Sequence, residues 1–354
     1  METYLICLAA ALVGGLLLTR VTKLMHLPAV TAYLVAGLLL GPFCIGRLGL
    51  PGLGFNSLEQ VEALQVLTQT ALGFIAFTIG NEFRLGQLKA MGKSAIVIGI
   101  LQAVVTTLLV DAILVGLHML RPDIISIPCA LTLGAIASAT APAATLMVVR
   151  QYKADGPLTR LLMLVVAIDD AVGLLLFSVS FGIATALANG QVSILAVAVE
   201  PIVEVVLSLG LGAVMGWLLH FTEQFFHSRS KRMSLSVGFV LLTVGLSTLH
   251  FEVAGIHCGF SLLLVCMMTG TVFCNICETS EELMDRIDGW TMPLNILFFV
   301  LSGAELDLQV LANPVTILVG LVYIAARSLG KYFGSDVSCA LPHQPTPIRK
   351  NLGI

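Results

Sequence analysis

The chain has 354 residues, of which 57% are hydrophobic and 11% charged, with a formal net charge of −3. Soluble globular proteins carry about 25% charged residues, so this composition excludes a soluble fold and indicates a protein that crosses a membrane many times. The small net charge gives no reason to expect nucleic acid as a partner.

Eleven apolar stretches are expected to span the membrane, because about 20 apolar residues in a helix cross a bilayer. The first follows Met1-Glu2-Thr3, which lacks the positive charge of a secretion signal, so we expect it to be retained as a helix. Two polar stretches, 81–93 and 278–289, are expected to lie at the interface or as loops. The eleven segments, numbered in chain order, are 3–19, 28–46, 61–80, 94–120, 127–149, 160–187, 192–220, 233–250, 254–274, 291–311 and 314–334.

Basic residues predict the orientation of these segments. Fourteen of the 18 Lys and Arg follow odd-numbered segments, and positive loops face the cytoplasm. The N-terminus is therefore expected outside. The fourteen are Arg20, Lys23, Arg84, Lys89, Lys93, Arg150, Lys153, Arg160, Arg229, Lys231, Arg232, Arg286, Arg349 and Lys350.

Segment 4 carries one acid, Asp111, toward its outer end, and we expect an interfacial role for it rather than an ion site. The eight cysteines lie mostly in apolar segments and are expected to be core residues. Cys274 and Cys277 have the spacing of metal ligands but lack a second pair, so no metal site is predicted.

Segment 5 is interrupted at Thr140-Ala141-Pro142, shortly after Ser138. Pro142 removes a backbone donor and clashes with the preceding turn. A helix broken inside a membrane exposes carbonyls and helix-dipole ends, which is how many transporters bind cations. The alternative is a structural proline kink, and the segment by itself does not decide between the two.

Segment 6 contains the adjacent acids Asp169 and Asp170 in an otherwise apolar helix. A charge at bilayer depth costs about 2.5–3.5 kcal/mol even on lenient scales, so such a pair indicates binding of cations or protons. Two acids this close cannot both ionise cheaply without a cation. We therefore expect them to titrate as a coupled unit, with Na⁺ and protons competing for the same oxygens. A buried structural pair is the alternative.

Segment 11 carries two cations, Arg327 and Lys331. At 1.5 Å per residue, Asp169 and Ala141 each lie about 14 Å from the cytoplasmic ends of their segments, and Arg327 lies about 10 Å from its own. The acids, the break and Arg327 are thus expected near one depth. Arg327 is predicted to compensate the acids or the negative ends of broken helices. Lys331 is a second charge-compensating candidate, but it is expected to snorkel toward the cytoplasm.

At these residues the chain resembles the monovalent cation/proton antiporter superfamily, of the sodium/hydrogen exchanger type. The resemblance implies an all-α bundle of 13 helices, built as two inverted repeats and forming a homodimer. It also implies a single transporter domain over 1–354, whose ion-carrying core lies mainly in 94–187 and 313–334. The matching stretches are Phe77-Thr78-Ile79-Gly80-Asn81-Glu82-Phe83, Thr140-Ala141-Pro142, Ile168-Asp169-Asp170, and Phe298-Phe299-Val300-Leu301-Ser302-Gly303 followed by Ala326-Arg327-Ser328-Leu329-Gly330-Lys331.

The resemblance also implies residue roles. The second Asp of the pair, here Asp170, is the essential ion carrier, and Asp169, Thr140 and Arg327 match the first Asp, the threonine of the break and the basic residue. Paired Asp-Asp is similar to electrogenic members, many of which carry Lys where this chain has Arg327. About eleven of the 13 helices are expected here, with the second broken helix starting near Arg349, which predicts a fragment or truncated gene.

Together these features predict a secondary antiporter that exchanges Na⁺, Li⁺ or K⁺ for H⁺ across a prokaryotic inner membrane and so controls pH. The expected partners are the ions, the lipid bilayer and a second copy of the chain, without a cofactor. Two alternatives stay open: a K⁺/H⁺ antiporter of the glutathione-gated type, and a truncated remnant or sensor that does not transport. An enzyme is not expected, since no nucleophile–base arrangement is visible.

Overall fold

The structure is a computed structural model that describes all residues except 1, 26, 50–53, 82, 190–193, 250, 254–255, 343 and 354. Within the described residues the chain is helical, apart from a small antiparallel hairpin of β1 (Phe251–Val253) and β2 (Ile256–Cys258) and 3₁₀ turns at Ile45–Leu48 and Leu308–Ala312. The helices are α1 (Glu2–Leu24), α2 (Ala29–Leu40), α3 (Leu58–Glu62), α4 (Gln65–Asn81), α5 (Leu85–Leu120), α6 (Ile127–Ser138), α7 (Pro142–Gln151), α8 (Pro157–Asn189), α9 (Ile194–Glu223), α10 (Arg229–Ser247), α11 (Leu262–Ile276), α12 (Ser280–Ala304), α13 (Pro314–Ala340) and α14 (Thr346–Asn351).

Each of the eleven predicted segments coincides with a helix, and segment 5 divides into α6 and α7 at the predicted break. The boundaries differ most where polar residues extend an apolar helix. The stretches 81–93 and 278–289 are largely helical and continue into α5 and α12, so the loop alternative is wrong, whereas the alternative of an interfacial position stays a prediction. α11 begins only at Leu262, because the hairpin takes up the first residues of segment 9.

Local sequence signals explain several helix starts. Ser126 and Ser261 accept hydrogen bonds from backbone N–H groups three residues on, which caps α6 and α11. The side chain of Asn313 accepts from the N–H of Val315 over 2.9 Å, and Pro314 occupies the first position of α13. Seven helices of the described chain are long and apolar enough to cross a membrane, namely α1, α2 with the following 3₁₀ turn, α5, α8, α9, α12 and α13.

The helices pack in two groups. In the first, α5 lies against α13, α6 and α8, and α14 lies against α13. In the second, α11 packs on α4 and α9, while α12 packs on α2 and α4. The predicted core, 94–187 and 313–334, includes α6, α8 and most of α5 and α13 from the first group, and also α7, which contacts α8 and the second-group helices α2 and α4.

The second group is held by helix crossings at glycine. A Cβ at Gly37 of α2 would collide with the carbonyl of Val300, and a Cβ at Gly303 of α12 would collide with the carbonyl of Leu34. Each glycine thus lets the partner backbone approach closely, which is how helices associate in a membrane without a hydrophobic driving force.

These crossings predict that Gly303→Ala destabilises the protein, because the added methyl group must displace backbone rather than a flexible side chain. We expect the free energy of unfolding to fall by about 1–3 kcal/mol, measured as a lower melting temperature in detergent. Gly289→Ala is the matched control in the same helix, since nothing lies within 4 Å of its Cβ position. The control should leave the melting temperature unchanged or raise it. Equal losses in both variants would contradict the packing argument.

Candidate functional site

The candidate site is built around the interruption between α6 and α7. α6 ends at Ser138, and Ala139 and Ala141 have extended backbone, with ψ angles of 145° and 101°. Pro142 is the first residue of α7, where its missing N–H removes no helical hydrogen bond. The carbonyls at the end of α6 therefore need donors from elsewhere in the protein.

Asp169 of α8 lies beside this break and is completely buried, at 0% exposure. Its Oδ2 accepts a hydrogen bond from Thr140 Oγ1 over 2.8 Å and one from Lys331 Nζ over 2.8 Å. The same ammonium donates to Thr140 Oγ1 over 2.9 Å and to the carbonyl of Ser138. One lysine thus joins the acid, the threonine and the end of α6 in a single buried network.

Arg327 reaches the same break one turn earlier on α13. Its guanidinium donates to the carbonyl of Ala139 over 2.8 Å. Two cations from α13 therefore lie at the C-terminal end of α6, which carries about half a negative charge from the helix dipole. The sequence predicted that Arg327 compensates either the acids or the negative end of a broken helix. This hydrogen bond is with the broken helix end.

The expectation that Lys331 snorkels is wrong. Lys331 is 8% exposed and forms an ion pair with Asp169. The error has a physical cause: segment 11 was predicted to end at residue 334, but α13 continues to Ala340. The polar residues Ser335 and Ser338 are buried in that extension, so Lys331 lies inside the helix and not near its end.

A cavity of about 520 Å³ reaches this network between α5, α8, α13 and the end of α14. It is lined by Thr140, Asp169, Arg327 and Lys331 together with Gln102, which sequence reasoning missed. The sequence contains a signal for this residue, since Gln102 is a lone amide in an apolar stretch of segment 4. Among the described residues, Gln102 Oε1 and Asp169 Oδ1 are buried without a hydrogen-bond partner. The site therefore holds oxygen acceptors that protein donors do not saturate.

The remaining predicted site residues are placed as follows. Ala141 is exposed and Pro142 partly buried, so both contribute to the break through backbone geometry. Asp170 follows Asp169 in α8, but its side chain lies outside the described residues. Its role stays a prediction.

Cys274 and Cys277, which have the spacing of metal ligands, form hydrogen bonds with different partners. Cys274 Sγ donates to the carbonyl of Thr271, whereas Cys277 Sγ donates to Glu223 Oε2 over 3.0 Å. Burial and the Glu223 carboxylate raise the pKa of the Cys277 thiol to about 11. His220 lies close enough to complete a three-ligand group with Glu223 and Cys277, but Arg232 already pairs with Glu223 at 3.4 Å. This cluster joins α9, α10 and the end of α11.

Comparison with known proteins places the chain in a family. The family model described as "Sodium/hydrogen exchanger, transmembrane" matches residues 8–351. A curated relative, described as "Uncharacterized protein in phaC 3'region" from Methylorubrum extorquens, is 35% identical over 100 residues. Those residues are 28% of this chain and 31% of the relative, so the match spans less than a third of the relative's length.

Two solved structures share the fold. Both are of the sodium proton antiporter MjNhaP1 from Methanocaldococcus jannaschii, one of them determined at pH 8. The pH 8 structure has a TM-score of 0.69 at 20% identity, covering 98% of this chain and 83% of that chain. The other has a TM-score of 0.75 at 17% identity, covering 98% and 79%. At these identities the likeness shows the fold, which is the antiporter-like all-α membrane bundle that the sequence predicted.

The buried ion pair predicts a large stability loss when one partner is removed. Lys331→Met leaves the carboxylate of Asp169 buried without its counter-charge, which costs about 3–5 kcal/mol for pairs of this kind. We expect a clearly lower melting temperature in detergent. The double variant Lys331→Met/Asp169→Asn should recover part of the loss, because the uncompensated charge is gone.

The control for this prediction is Arg160→Ala, which breaks the exposed ion pair of Arg160 with Asp155. Exposed pairs contribute about 0–1 kcal/mol, so its melting temperature should change little. A loss from Lys331→Met no larger than that of the control would mean that the pair does not stabilise the fold.

Proposed function

The chain belongs to the sodium/hydrogen exchanger family, a family of membrane transporters, and from this premise we propose that it is a secondary antiporter exchanging Na⁺ for H⁺. The observation that carries the proposal is the ion pair of Lys331 and Asp169, buried against the broken end of α6. A buried ion pair of this kind stabilises the fold less than apolar packing would. Ion binding accounts for the presence of a buried charged pair at this position.

Charge balance supports exchange at this site. Asp169 and Asp170 carry two formal negative charges, and Arg327 and Lys331 carry two positive ones. With every group ionised the site is neutral, so a bound Na⁺ or a bound proton each adds one positive charge. Adding both places two excess charges in a low-dielectric interior, where repulsion is strong. Na⁺ and H⁺ therefore exclude each other, which is what antiport requires.

The residues take distinct parts in this proposal. Asp170 carries the proton or the cation, as the family resemblance implies. Asp169 anchors Lys331, and Thr140 holds Asp169 Oδ2 in place by its 2.8 Å hydrogen bond. Ser138 and Ala139 present their carbonyls to the two cations of α13. Ala141 and Pro142 keep the helix open at this level.

Alternating access then requires the site to face each side in turn. We propose that the first helix group, with the ion-carrying core over 94–187 and 313–334, moves against the second group. Polar contacts join the two groups near one end of the bundle: Arg150 of α7 pairs with Asp288 of α12 at 2.8 Å, and the N–H of Ala29 donates to Gln151 Oε1 over 2.8 Å. Such contacts must break in a rigid-body movement of this kind.

We place the protein in the inner membrane of a prokaryote, as a homodimer with its N-terminus outside, where it expels Na⁺ and controls internal pH. The distribution of basic residues supports the orientation, and the family resemblance supports the dimer. Li⁺ or K⁺ can replace Na⁺ in the same site chemistry. A K⁺/H⁺ antiporter of the glutathione-gated type is the second candidate for transport, and a non-transporting remnant or sensor is the candidate outside transport.

The proposal predicts cation-dependent collapse of a preset proton gradient in proteoliposomes that contain this chain. Na⁺ should release protons, and Asp170→Asn should abolish the release, because the amide binds neither the proton nor the cation in the same way. Thr140→Val should weaken it, since Asp169 loses a hydrogen bond that positions it.

Asp123→Asn is the control variant, because Asp123 is an exposed acid in the turn after α5; it should transport like the unmodified chain. A response to K⁺ but not to Na⁺ or Li⁺ would favour the second transport candidate. Absence of any cation-dependent proton movement in the folded, unmodified chain would refute antiport by this polypeptide.

A further inference from the structure

Asp111 of α5 lies apart from the network at Asp169, and the interfacial role that the sequence favoured for it stays a prediction. Its carboxylate packs directly on the backbone of Gly134 in α6, so closely that a Cβ at Gly134 would collide with Asp111 Oδ1. Among the described residues, Asp111 Oδ1 is buried and has no hydrogen-bond partner. A carboxylate oxygen in that state is costly unless something binds it.

Thr107, one turn earlier on the same face of α5, repeats the pattern. It is 4% exposed, and its Oγ1 has no hydrogen-bond partner within the described part of the chain. The neighbouring Thr106 differs: its hydroxyl donates to the carbonyl of Gln102 over 2.7 Å, the usual arrangement for threonine in a helix. Two oxygen acceptors one turn apart on α5 are thus left open, and one of them, Asp111 Oδ1, lies at the contact with α6.

Asp111 and Thr107 lie within about one helical turn of the level of the Asp169 network. Gly134, which touches Asp111, is four residues before Ser138, and four residues of helix correspond to about 6 Å. The carbonyl of Ser138 accepts from Lys331 Nζ. Because α5 and α6 are consecutive and antiparallel, Thr107, four residues before Asp111, lies at about the level of Ser138, four residues after Gly134. Asp111 is therefore about one helical turn from the ion pair, toward the turn that joins α5 to α6.

We propose that Asp111 and Thr107 form a second binding site for the transported monovalent cation, one turn from the Asp169 network. Carboxylate and hydroxyl oxygens are the ligands that hard cations take, and those of Asp111 and Thr107 belong to residues one turn apart on one face of α5. The cation would pass this site on its way between the α5–α6 end of the bundle and Asp170. Passage rests on the proposed antiport, whereas binding does not.

Binding is tested by thermal stabilisation, because a ligand that binds the folded state raises its melting temperature. The starting variant is Asp170→Asn, which keeps the Asp169–Lys331 pair but removes the proposed carrier. We expect NaCl to raise its melting temperature relative to choline chloride. Adding Asp111→Asn or Thr107→Val should remove that rise, and adding Thr106→Val, the matched control, should retain it. Absence of the rise in Asp170→Asn, or its persistence with Asp111→Asn, would overturn the second site.

Passage is tested in proteoliposomes by the Na⁺ concentration that gives half-maximal proton release. We expect Asp111→Asn to raise it about tenfold and Thr107→Val about threefold, with the maximal rate less affected, as for a lost binding interaction. Gly134→Ala should raise it as well, because it displaces the carboxylate without removing its charge. Unchanged values in all three variants would overturn a role in passage. If the unmodified chain moves no protons, the proposed function fails, and the melting experiment still decides whether Asp111 binds Na⁺.

Discussion

The arrangement of this protein depends on one buried ion pair, between Lys331 of α13 and Asp169 of α8. Its location is set by the interruption of α6, because the ammonium also bonds the last carbonyl of that helix. Three helices must therefore meet at one level, and α5 provides the surface on which α6, α8 and α13 all pack. The long apolar helices exclude water from the pair, which makes the buried pair possible. The same exclusion of water makes the burial of its two charges costly.

The two cations of α13 have different contacts, and the difference follows from their chemistry. An ammonium is a compact charge with three donors, and Lys331 directs them to Ser138, Thr140 and Asp169. A guanidinium is planar and always charged, and Arg327 bonds the carbonyl of Ala139. Under the proposed function, Arg327 keeps the helix end neutralised in every state of the cycle. Lys331, held by an acid that can change partners, is the cation whose contacts can change when the site is loaded.

The sequence alone predicted the helices of this fold well, and the side-chain contacts of the site residues less well. Apolar length located the helices, and Pro142 located the break, because both signals are local. That Asp169 lies level with the break was also predictable, since helical rise is constant. The partner of Asp169 was not: it depends on how far α13 continues past Lys331, and the polar residues there, Ser335 and Ser338, are buried by tertiary contacts that no local pattern contains. The contact of Asp111 with Gly134 was not predictable for the same reason, because Gly134 lies on another helix.

The helix contacts of this protein differ in what their glycines bring together. Where α2 meets α12, and where α4 meets α11, glycines bring backbones into direct contact, and the interfaces are closed by packing. Where α5 meets α6, Gly134 brings a carboxylate into the contact instead, and oxygens of Asp111 and Thr107 stay without protein donors. An unsatisfied buried oxygen is a net cost to folding, so packing elsewhere in the protein must offset it. A protein that binds and releases ions cannot saturate its own acceptors, because a site already satisfied by protein donors gains nothing from the ion.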